Sequence, residues 1–488
     1  MLGPFYGSVT RLATGKYQWS ASQLTLNDDT KQRAMQETAW ADGLRGIAAL
    51  YVVSSHVVLS YATSLVNPCC ADGSDAPSLF QRPIFRLVAS GHSWVAIFLI
   101  LMGFVNALKP LSLARSGQAD MASSKLATSA FSRIFRLMLP AAFATLFSWM
   151  VCQMGFYEMG RNSDAFWLAH NSPQPSVNIF VALADLKTAL FDTWVLGVDN
   201  QYDQPQWALI YFLQGSLMII LTLLMTVNMT PVWRTISLVF MAFASIDWSY
   251  HIGDPWTGMT CFLGIVLAEF SISNLPSKLA PLSVILSPPI AIFALVLMSF
   301  PGNNPKGAPW SAYLEQFGDT HFGEHALERL YGSFGGILLV ASIVISPHTR
   351  WALSQKPLKW LGKVSFAIYL LHGTFMRTIF AWVLFLGSEK REFQLKVENG
   401  LEWPNETFIS VWKYPLPGTF RCIFATVALL ASTLFASQVW NMKVEPICAK
   451  MTGLAEKLVK GQLSGDEVLG SLGHVQTEQE SLPRTRKD

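Results

Sequence analysis

Apolar stretches of about 20 residues recur along the chain between polar connections. A helix of that length crosses the roughly 30 Å hydrocarbon core of a bilayer. The second, fifth and sixth stretches are the weakest, because they are short or interrupted by glycine and polar residues. The pattern predicts an all-α fold, a polytopic transmembrane helical bundle of about ten spans. The ten stretches are centred on 44–65, 92–108, 134–155, 206–228, 234–247, 257–273, 281–300, 329–347, 364–387 and 419–441.

The basic residues predict the orientation of these spans. Lys and Arg concentrate in the connections 109–136 and 346–363, whereas the segment 156–205 contains six acidic residues and only two basic ones. Because basic residues accumulate in cytoplasmic loops, both termini are expected in the cytoplasm. The sequon at Asn405 then falls in an outer connection, which predicts a glycosylated asparagine. We expect a multi-pass membrane protein of the endomembrane system.

The spans divide the chain into three parts. Residues 1–40 form a polar cytoplasmic extension without the unbroken apolar core of a cleaved signal peptide. Residues 41–446 form the transmembrane domain. Residues 447–488 form a cytoplasmic tail, in which 447–463 predicts a short amphipathic helix on the membrane surface and the polar remainder predicts disorder.

Composition narrows the class of protein. Of the 488 residues, 51% are hydrophobic and only 14% are charged, against about 25% charged in ordinary soluble chains. The formal net charge is only +3, and no part of the chain stands out as a basic domain. No nucleic-acid partner is therefore expected.

Several common site types are disfavoured by the absence of their motifs. The chain contains no HExxH, no P-loop and no GxSxG, which argues against a zinc protease, an ATP-driven pump and a nucleophile-elbow hydrolase. His321 and His325 lie on either side of Glu324 in a polar connection, where a solvated loop is the simpler interpretation. No metal site is therefore predicted.

Arg45 and His56 are the most informative residues of the first span. Eleven residues at about 100° each make three turns plus roughly 20°, so both side chains lie on nearly the same face, about 16.5 Å apart along the axis. An ionisable side chain at such depth marks a functional path by default. The guanidinium suits a phosphate-bearing ligand and the imidazole suits proton transfer. The alternatives are a membrane anchor for Arg45 and a helix-packing hydrogen bond for His56.

The Arg-x10-His spacing, followed by GHSWVAIFLILMGF, resembles the opening of the acyltransferase 3 family of integral-membrane O-acyltransferases, in a version similar to fungal members. Five further matches follow in order, and together they cover residues 40–450. These matches are SRIFRLMLP at 132–140, QPQWALIYFLQGS at 204–216, CFLGIVLAE at 261–269, LGKVSFAIYLLH at 361–372 and QVWNMKVEP at 438–446.

The resemblance implies that acyl-CoA enters from the cytoplasmic side and gives its acyl group to a hydroxyl of the acceptor. Arg45 and His56 match the signature pair of the family and are predicted to be catalytic. His56 either takes the proton of the attacking hydroxyl or transiently accepts the acyl group itself. No permanently bound cofactor is expected, since acyl-CoA, here acetyl-CoA, is a co-substrate.

Other predicted roles also follow from the resemblance. Arg133 and Arg136 match a basic cluster before Pro140 and are predicted to bind the CoA phosphates, with positive-inside anchoring as the alternative. The predicted substrate-binding residues are His372, Tyr369, Trp207 and Tyr211. For His372 the alternative is plain helix-to-helix hydrogen bonding. His92 is expected at the membrane interface, and Glu445 is expected to have a structural role.

Two positions depart from the pattern of the family. The usual Trp-Thr-Leu-x-x-Glu run of the fourth span ends here in Phe212 instead of the carboxylate, and Met102 replaces the usual serine before Gly103. If the missing carboxylate normally assists the histidine, Tyr211 or Gln214 is the substitute, or the acceptor is apolar. Both departures remove polarity and favour a lipophilic acceptor.

The sequence therefore predicts an O-acyltransferase, specifically an acetyltransferase, that acts on a small lipophilic alcohol such as a terpenoid or polyketide in a biosynthetic pathway. Its expected partners are acyl-CoA, the alcohol and the lipid bilayer. The alternatives are acylation of a glycan or cell-wall polymer, a transporter with Arg45 and His56 as a relay, and a catalytically silent relative.

Overall fold

The computed structural model describes residues 28–69, 76–196, 200–248, 255–322, 326–397 and 407–462. Ten apolar helices dominate this part of the chain. They are α1 Asp28–Tyr61, α2 Gly91–Arg115, α3 Ala119–Gln153, α4 Leu209–Thr226, α5 Pro231–Ala244, α6 Pro255–Ser271, α7 Ser283–Met298, α8 Leu327–Ile345, α9 Lys356–Phe375 and α10 Thr419–Val459. We call the end of the bundle that carries Arg45 the inner end and the opposite end the outer end.

Shorter elements connect these helices. They are the helices Glu158–Arg161, Phe166–His170, Ile179–Phe191, Leu275–Leu279, Pro309–Phe322, Pro347–Leu353 and Ala381–Phe385, and the strands β1 Arg391–Val397 and β2 Thr407–Lys413. The two strands pair in antiparallel register at the outer end. Backbone hydrogen bonds join Tyr414, just after β2, to Asn162 and Asp164, so the hairpin and the segment that follows α3 form a common outer layer.

The predicted all-α membrane bundle is confirmed. Each of the ten predicted stretches is a helix, and eight helical segments of the described ranges are long and apolar enough to cross a membrane. Helices α5 and α6 are shorter, as the weak patterns of the fifth and sixth stretches predicted. Helix α2, by contrast, is a full 25 residues. Gly103 interrupts the hydropathy pattern, but it lies inside this continuous helix. Glycine is needed there for packing, because a Cβ would overlap the carbonyl oxygen of Cys261 on α6.

The helix boundaries differ from the predicted ones at both ends of the bundle. Helix α1 begins at Asp28, inside the predicted polar extension. Helix α10 continues through Pro446 to Val459, so residues 447–459 are helical as predicted, but as a continuation of the last span. The continuation has a packing reason, since Glu456 accepts a hydrogen bond from Ser132 of α3. Asn405 and His325 lie outside the described residues.

Helix α2 lies at the centre of the bundle. It packs against α1, α3, α4, α6 and α8, whereas α9 packs between α1 and α10. The central core includes Ile97, Ile100 and Phe104 of α2, which are at most 1% exposed. The residues of α2 therefore contribute to the walls of most of the cavities between the helices.

Glycines allow an unusually close contact between α1 and α9. A Cβ at Gly46 would lie 2.6 Å from the backbone nitrogen of Gly362, and a Cβ at Gly362 would overlap the carbonyl of Asp42. Small residues let two membrane helices approach backbone to backbone. This contact sets how α1 and α9 are aligned, and therefore which side chains of the two helices meet farther along.

A buried carboxylate joins three helices at the inner end. Glu269 of α6 pairs with Arg115 of α2 at 2.6 Å and with Arg234 of α5 at 3.0 Å. Arg234 is only 1% exposed and also donates to the carbonyls of Val227 and Met229. Because a buried charge without a partner is costly, this triad holds the short helix α5 against the bundle.

The glycine contact between α1 and α9 can be tested by adding one methyl group. We expect Gly362→Ala to destabilise the purified protein in detergent by roughly 1–3 kcal/mol, because the new Cβ forces the two backbones apart. Thermal unfolding measures the effect. Gly453→Ala on α10 is the matched control, since its Cβ would meet no atom within 4 Å. Equal unfolding temperatures for the two variants would contradict the assigned contact.

Candidate active site

Two histidines from different helices meet in the outer half of the bundle. The ring centroids of His56 on α1 and His372 on α9 lie 5.3 Å apart, with an interplanar angle of 30°. Trp167, from the short helix at the outer end, places its ring 5.0 Å from that of His56. We call His56 and His372 the histidine pair. Ser60 donates a hydrogen bond to the carbonyl oxygen of His56.

Hydrogen bonds orient the ring of His372. Its Nδ1 lies 2.8 Å from the carbonyl oxygen of Tyr369, and since a carbonyl only accepts, Nδ1 carries the hydrogen and neutral Nε2 carries the lone pair. Both His372 Nε2 and His56 Nδ1 are buried without a hydrogen-bond partner among the described residues. An unsatisfied buried polar atom costs about 1–3 kcal/mol. A ligand hydroxyl that reaches either nitrogen would therefore gain a hydrogen bond that the protein itself does not make.

Aromatic and basic side chains surround the outer approach to the histidine pair. The ring of Trp207 lies 5.4 Å from that of His92 and 6.0 Å from that of Tyr211. The guanidinium of Arg329 lies over the Trp207 ring at 5.1 Å. His92 is also close enough to interact electrostatically with His56. These side chains form a largely aromatic wall that suits an apolar ligand with few polar groups.

A groove of about 420 Å³ opens on the inner side of the site. Arg45 lines it and contacts Asp42 Oδ1 at 2.6 Å and the carbonyl oxygen of Gly362 at 3.4 Å. Arg133 of α3 also lines it and donates to Asn106 Oδ1 at 2.6 Å. We call this cavity the inner groove. Its lining includes Arg45, Asn106, Arg133, Lys363, Glu445, Phe98, Phe212, Phe366 and Tyr369.

Three aromatic rings in the lining of the inner groove lie close together. Phe212 lies 6.1 Å from both Phe98 and Tyr369, and Phe98 lies 6.5 Å from Tyr369, measured between ring centroids. The Tyr369 hydroxyl donates to the carbonyl of Pro205, so that ring is anchored, whereas the two phenylalanines have no polar anchor. We call these three residues the aromatic partition.

The partition separates Arg45 from the histidine pair. The groove follows α9 past Gly362 and Phe366 to Tyr369, and His372 lies one turn farther. His56 and His372 are not part of the groove lining. The inner groove by itself therefore does not join Arg45 to His56, although the two residues share a helix face. Phe212, at the position of the expected carboxylate, completes the barrier.

Arg133 and Arg136, which were predicted to act together, have different surroundings in the structure. Arg133 lines the inner groove, whereas Arg136 is exposed and lies outside that lining. The rings of Trp207 and Tyr211 lie together on the outer side, and Tyr369 belongs to the partition. The functional roles predicted for these residues remain predictions.

Among the described residues, no three His, Cys, Asp or Glu side chains are arranged to hold a metal ion.

A buried ion pair supports the helix turn that follows His372. Arg377 lies in a π-helical turn, Met376–Phe380, and its Nη2 lies 3.4 Å from Asp203 Oδ1, with both side chains fully buried. Arg377 also donates to the carbonyl oxygen of Gly373 at 2.9 Å and lies over the Tyr157 ring at 4.6 Å. Burial raises the pKa of the Asp203 carboxyl to about 6, against the opposing effects of Arg377 and a hydrogen bond from Gln206.

The sequence interpretation missed three residues of this region. Arg377 is an ionisable residue inside an apolar stretch, which is by itself a signal of function or of a buried partner. Asp203 and Trp167 lie in the polar outer connection and carry no comparable signal. Asp203 reaches the site because α9 has glycine at 373, where a Cβ would lie 2.8 Å from the Asp203 carboxylate and 3.0 Å from Pro205.

Comparison with known proteins adds a family assignment. The sequence model of a family described as an acyltransferase domain matches residues 38–438. "O-acetyltransferase PaAT-1" of Phomopsis amygdali is 25% identical over 383 residues, which cover 72% of this chain and 74% of that protein. "Acyltransferase clz18" of Cochliobolus lunatus is 22% identical over 412 residues, or 71% and 85% of the two chains. No solved structure matches significantly.

The ion pair of Asp203 and Arg377 predicts a large effect from a small substitution. We expect Asp203→Asn to cost roughly 3–5 kcal/mol of stability, because it leaves a fully buried guanidinium without a counter-charge. Adding Arg377→Met removes that charge and should recover part of the loss. Thermal unfolding in detergent reports both changes. Asp42→Asn is the control, since its pair with Arg45 is about half exposed and is worth at most about 1 kcal/mol. A loss no larger than that of the control would disprove the role of the buried pair.

Proposed function

The chain belongs to the acyltransferase 3 family, and we propose that it moves an acetyl group from acetyl-CoA to a hydroxyl of a small lipophilic metabolite, such as a terpenoid or polyketide intermediate. As a member of this family it is a membrane-bound enzyme that transfers acyl groups. A similar fungal protein, at 25% identity, is named an O-acetyltransferase, which supports acetyl as the group transferred.

The histidine pair is the observation that carries this proposal. Two ring nitrogens, His56 Nδ1 and His372 Nε2, lie buried and without a partner among the described residues at the meeting point of α1 and α9. An imidazole lone pair accepts the proton of an alcohol as that alcohol attacks a carbonyl carbon. The neighbouring Tyr369 carbonyl holds the His372 tautomer that leaves Nε2 free to accept.

The chemistry balances without any further reactant. The acceptor oxygen forms a bond to the thioester carbon, the carbon–sulfur bond breaks, and the hydroxyl proton passes through the imidazole to the CoA thiolate. A second route first places the acetyl group on His56 and then transfers it to the alcohol. Both routes need an imidazole that is not protonated at the start, in keeping with the buried position of the pair.

The two substrates approach from opposite sides of the aromatic partition in this proposal. The inner groove, with Arg45 and Arg133 on its walls, suits the phosphate-bearing donor. The aromatic wall around Trp207 suits the acceptor. Because Phe212 replaces the carboxylate that the family resemblance predicts, that acceptor is an apolar alcohol instead of a polysaccharide. The thioester reaches the histidine pair when Phe98 and Phe212, which lack polar anchors, turn aside.

The assignment of the inner groove to acetyl-CoA also gives the orientation of the protein in the membrane. The inner groove faces the cytoplasm, where acetyl-CoA is made available, and both termini lie on that side. The basic residues of 109–136 and 346–363 support this orientation. The hairpin and Asn405 then lie on the lumenal side of an endomembrane, where asparagine is glycosylated.

Replacing His56 tests the reaction. We expect His56→Ala to lower product formation at least about 100-fold, because the alcohol loses its proton acceptor. Membranes with the variant receive labelled acetyl-CoA and a panel of terpenoid and polyketide alcohols, and acetylated products are counted by mass spectrometry against protein level. His170→Ala, an exposed histidine on the outer helix Phe166–His170, is the control and should retain full product yield.

Two outcomes would overturn the proposal. Normal product yield from His56→Ala would remove the proposed role of that residue. Movement of an alcohol across sealed vesicles without any acyl-CoA, together with no acetylated product from the wild-type chain, would identify a transporter instead.

The aromatic partition predicts a change in acyl-chain preference. We expect Phe212→Ala to raise the rate with hexanoyl-CoA relative to acetyl-CoA by about tenfold, because the removed ring leaves room for the longer chain at the end of the groove. The ratio of kcat/KM values for the two donors measures this change. Phe240→Ala on α5, where the ring is 72% exposed, is the control. An unchanged ratio in Phe212→Ala would show that the partition does not limit the acyl chain.

A further inference from the structure

A second cavity lies beside the inner groove at the inner end of the bundle. It encloses about 460 Å³ between the last turns of α2, the first half of α3 and the last turns of α4. One wall is apolar and consists of Ile219, Ile220 and Leu223 of α4. The opposite side carries Lys109 of α2 with Lys125 and Arg133 of α3. We call this cavity the basic pocket.

The three cations of the basic pocket have no acidic partner within the described ranges. No carboxylate lines the pocket. Lys125 Nζ donates to the thioether sulfur of Met121 at 3.3 Å, and Arg133 donates to the neutral side chains of Asn106 and Ser129. Lys109 and Lys125 are close enough to repel each other. Three converging positive charges without a counter-charge favour an anionic ligand.

Two other cations at the inner end do have an acidic partner. Arg115, near the end of the same helix α2, is neutralised by Glu269, which also neutralises Arg234. Lys109, six residues before Arg115, lines the basic pocket and has no such acidic partner among the described residues.

The basic pocket and the inner groove adjoin each other. They share Val105, Asn106 and Arg133 as lining residues. Along α2, Lys109 lies eleven residues from Phe98 of the aromatic partition, a distance of about 16.5 Å at 1.5 Å per residue. A ligand with phosphates at one end and a reactive group at the far end of an extended arm fits this path, with its phosphates at Lys109 and its reactive group at the partition.

We propose that the basic pocket binds the phosphorylated adenosine of acyl-CoA, with Lys109 and Lys125 at its 3′-phosphate and Arg133 at its diphosphate. This inference rests on the proposed function, since it names the site of the same donor. Lysine ammonium groups bind phosphate as point charges, and the planar guanidinium matches two oxygens at once. The apolar wall of α4 packs against the adenine, and the pantetheine arm follows the inner groove past Arg45.

This assignment replaces the sequence-based pairing of Arg133 with Arg136. Arg136 is exposed and lines neither cavity, whereas Lys109 and Lys125 converge with Arg133 on one volume. The phosphate of an anionic lipid has the same chemistry as the CoA phosphates and could reach the same cations from the cytoplasmic leaflet. The experiment therefore has to distinguish these two sources.

Binding to the full-length protein in a non-ionic detergent tests the proposal without any acceptor. Calorimetric titration is carried out with CoA, 3′-dephospho-CoA and pantetheine. We expect the wild-type chain to bind CoA about tenfold more tightly than 3′-dephospho-CoA, a difference of about 1.4 kcal/mol. The double variant Lys109→Gln/Lys125→Gln should bind CoA about tenfold more weakly than the wild type does. Its affinity for CoA should not exceed its affinity for 3′-dephospho-CoA.

Two controls accompany the titration. Pantetheine lacks the nucleotide, so the double variant should bind it as the wild type does, which also shows that the variant is folded. Lys278→Gln changes an exposed lysine of the short helix Leu275–Leu279 at the same end of the bundle, outside both cavities, and should bind CoA normally.

The outcomes separate failure of the pocket from failure of the proposed reaction. Unchanged CoA affinity in the double variant, with normal binding by the wild type, would overturn the pocket assignment alone. If the wild type binds neither CoA nor pantetheine, the acyl-CoA donor and the pocket assignment are both overturned. If phosphatidic acid raises the unfolding temperature of the wild type but not of the double variant, while both bind CoA equally, the occupant is a lipid headgroup and the proposal is wrong.

Discussion

The close contact of α1 with α9 is the constraint on which the rest of the site depends. Gly46 and Gly362 allow the two backbones to touch near the inner end, and the contact leaves the helices aligned over the next two to three turns. At one end of this alignment Arg45 reaches the carbonyl of Gly362. At the other end His56 meets His372. A larger residue at either glycine would change both relationships at once, because each helix is rigid on this length scale.

The aromatic partition divides the site into compartments with different chemistry. The inner side is basic and open, and it suits a charged and strongly hydrated donor. The outer side is aromatic and covered by Trp167 and the connections of the outer layer, and it suits an apolar alcohol. Phe98 and Phe212 close the passage between them, with Tyr369 as the anchored member. In the proposed reaction this barrier keeps water on the inner side away from the histidine pair until a thioester displaces the rings.

Buried ion pairs hold the frame around these compartments. Glu269 joins three helices at the inner end, and the pair of Asp203 and Arg377 joins the outer connection to the π-helical turn that follows α9. Such pairs contribute little net stability when complete, but they are costly to break, so they favour one arrangement of the helices. The cations of the basic pocket differ in this respect, since no acid among the described residues completes them, and a bound anion takes that role in our proposal.

The sequence by itself determined the features that depend on neighbouring residues along one helix. Helix number and fold class followed from the length of the apolar stretches, and the shared face of Arg45 and His56 followed from helix periodicity. Only the tertiary structure decided which helix faces which. It brought His372 to His56, placed Phe212 in the partition, and directed Arg133, but not Arg136, into the groove. Periodicity gives the angle between two side chains on a helix, whereas the direction of each in the bundle depends on packing against residues hundreds of positions away.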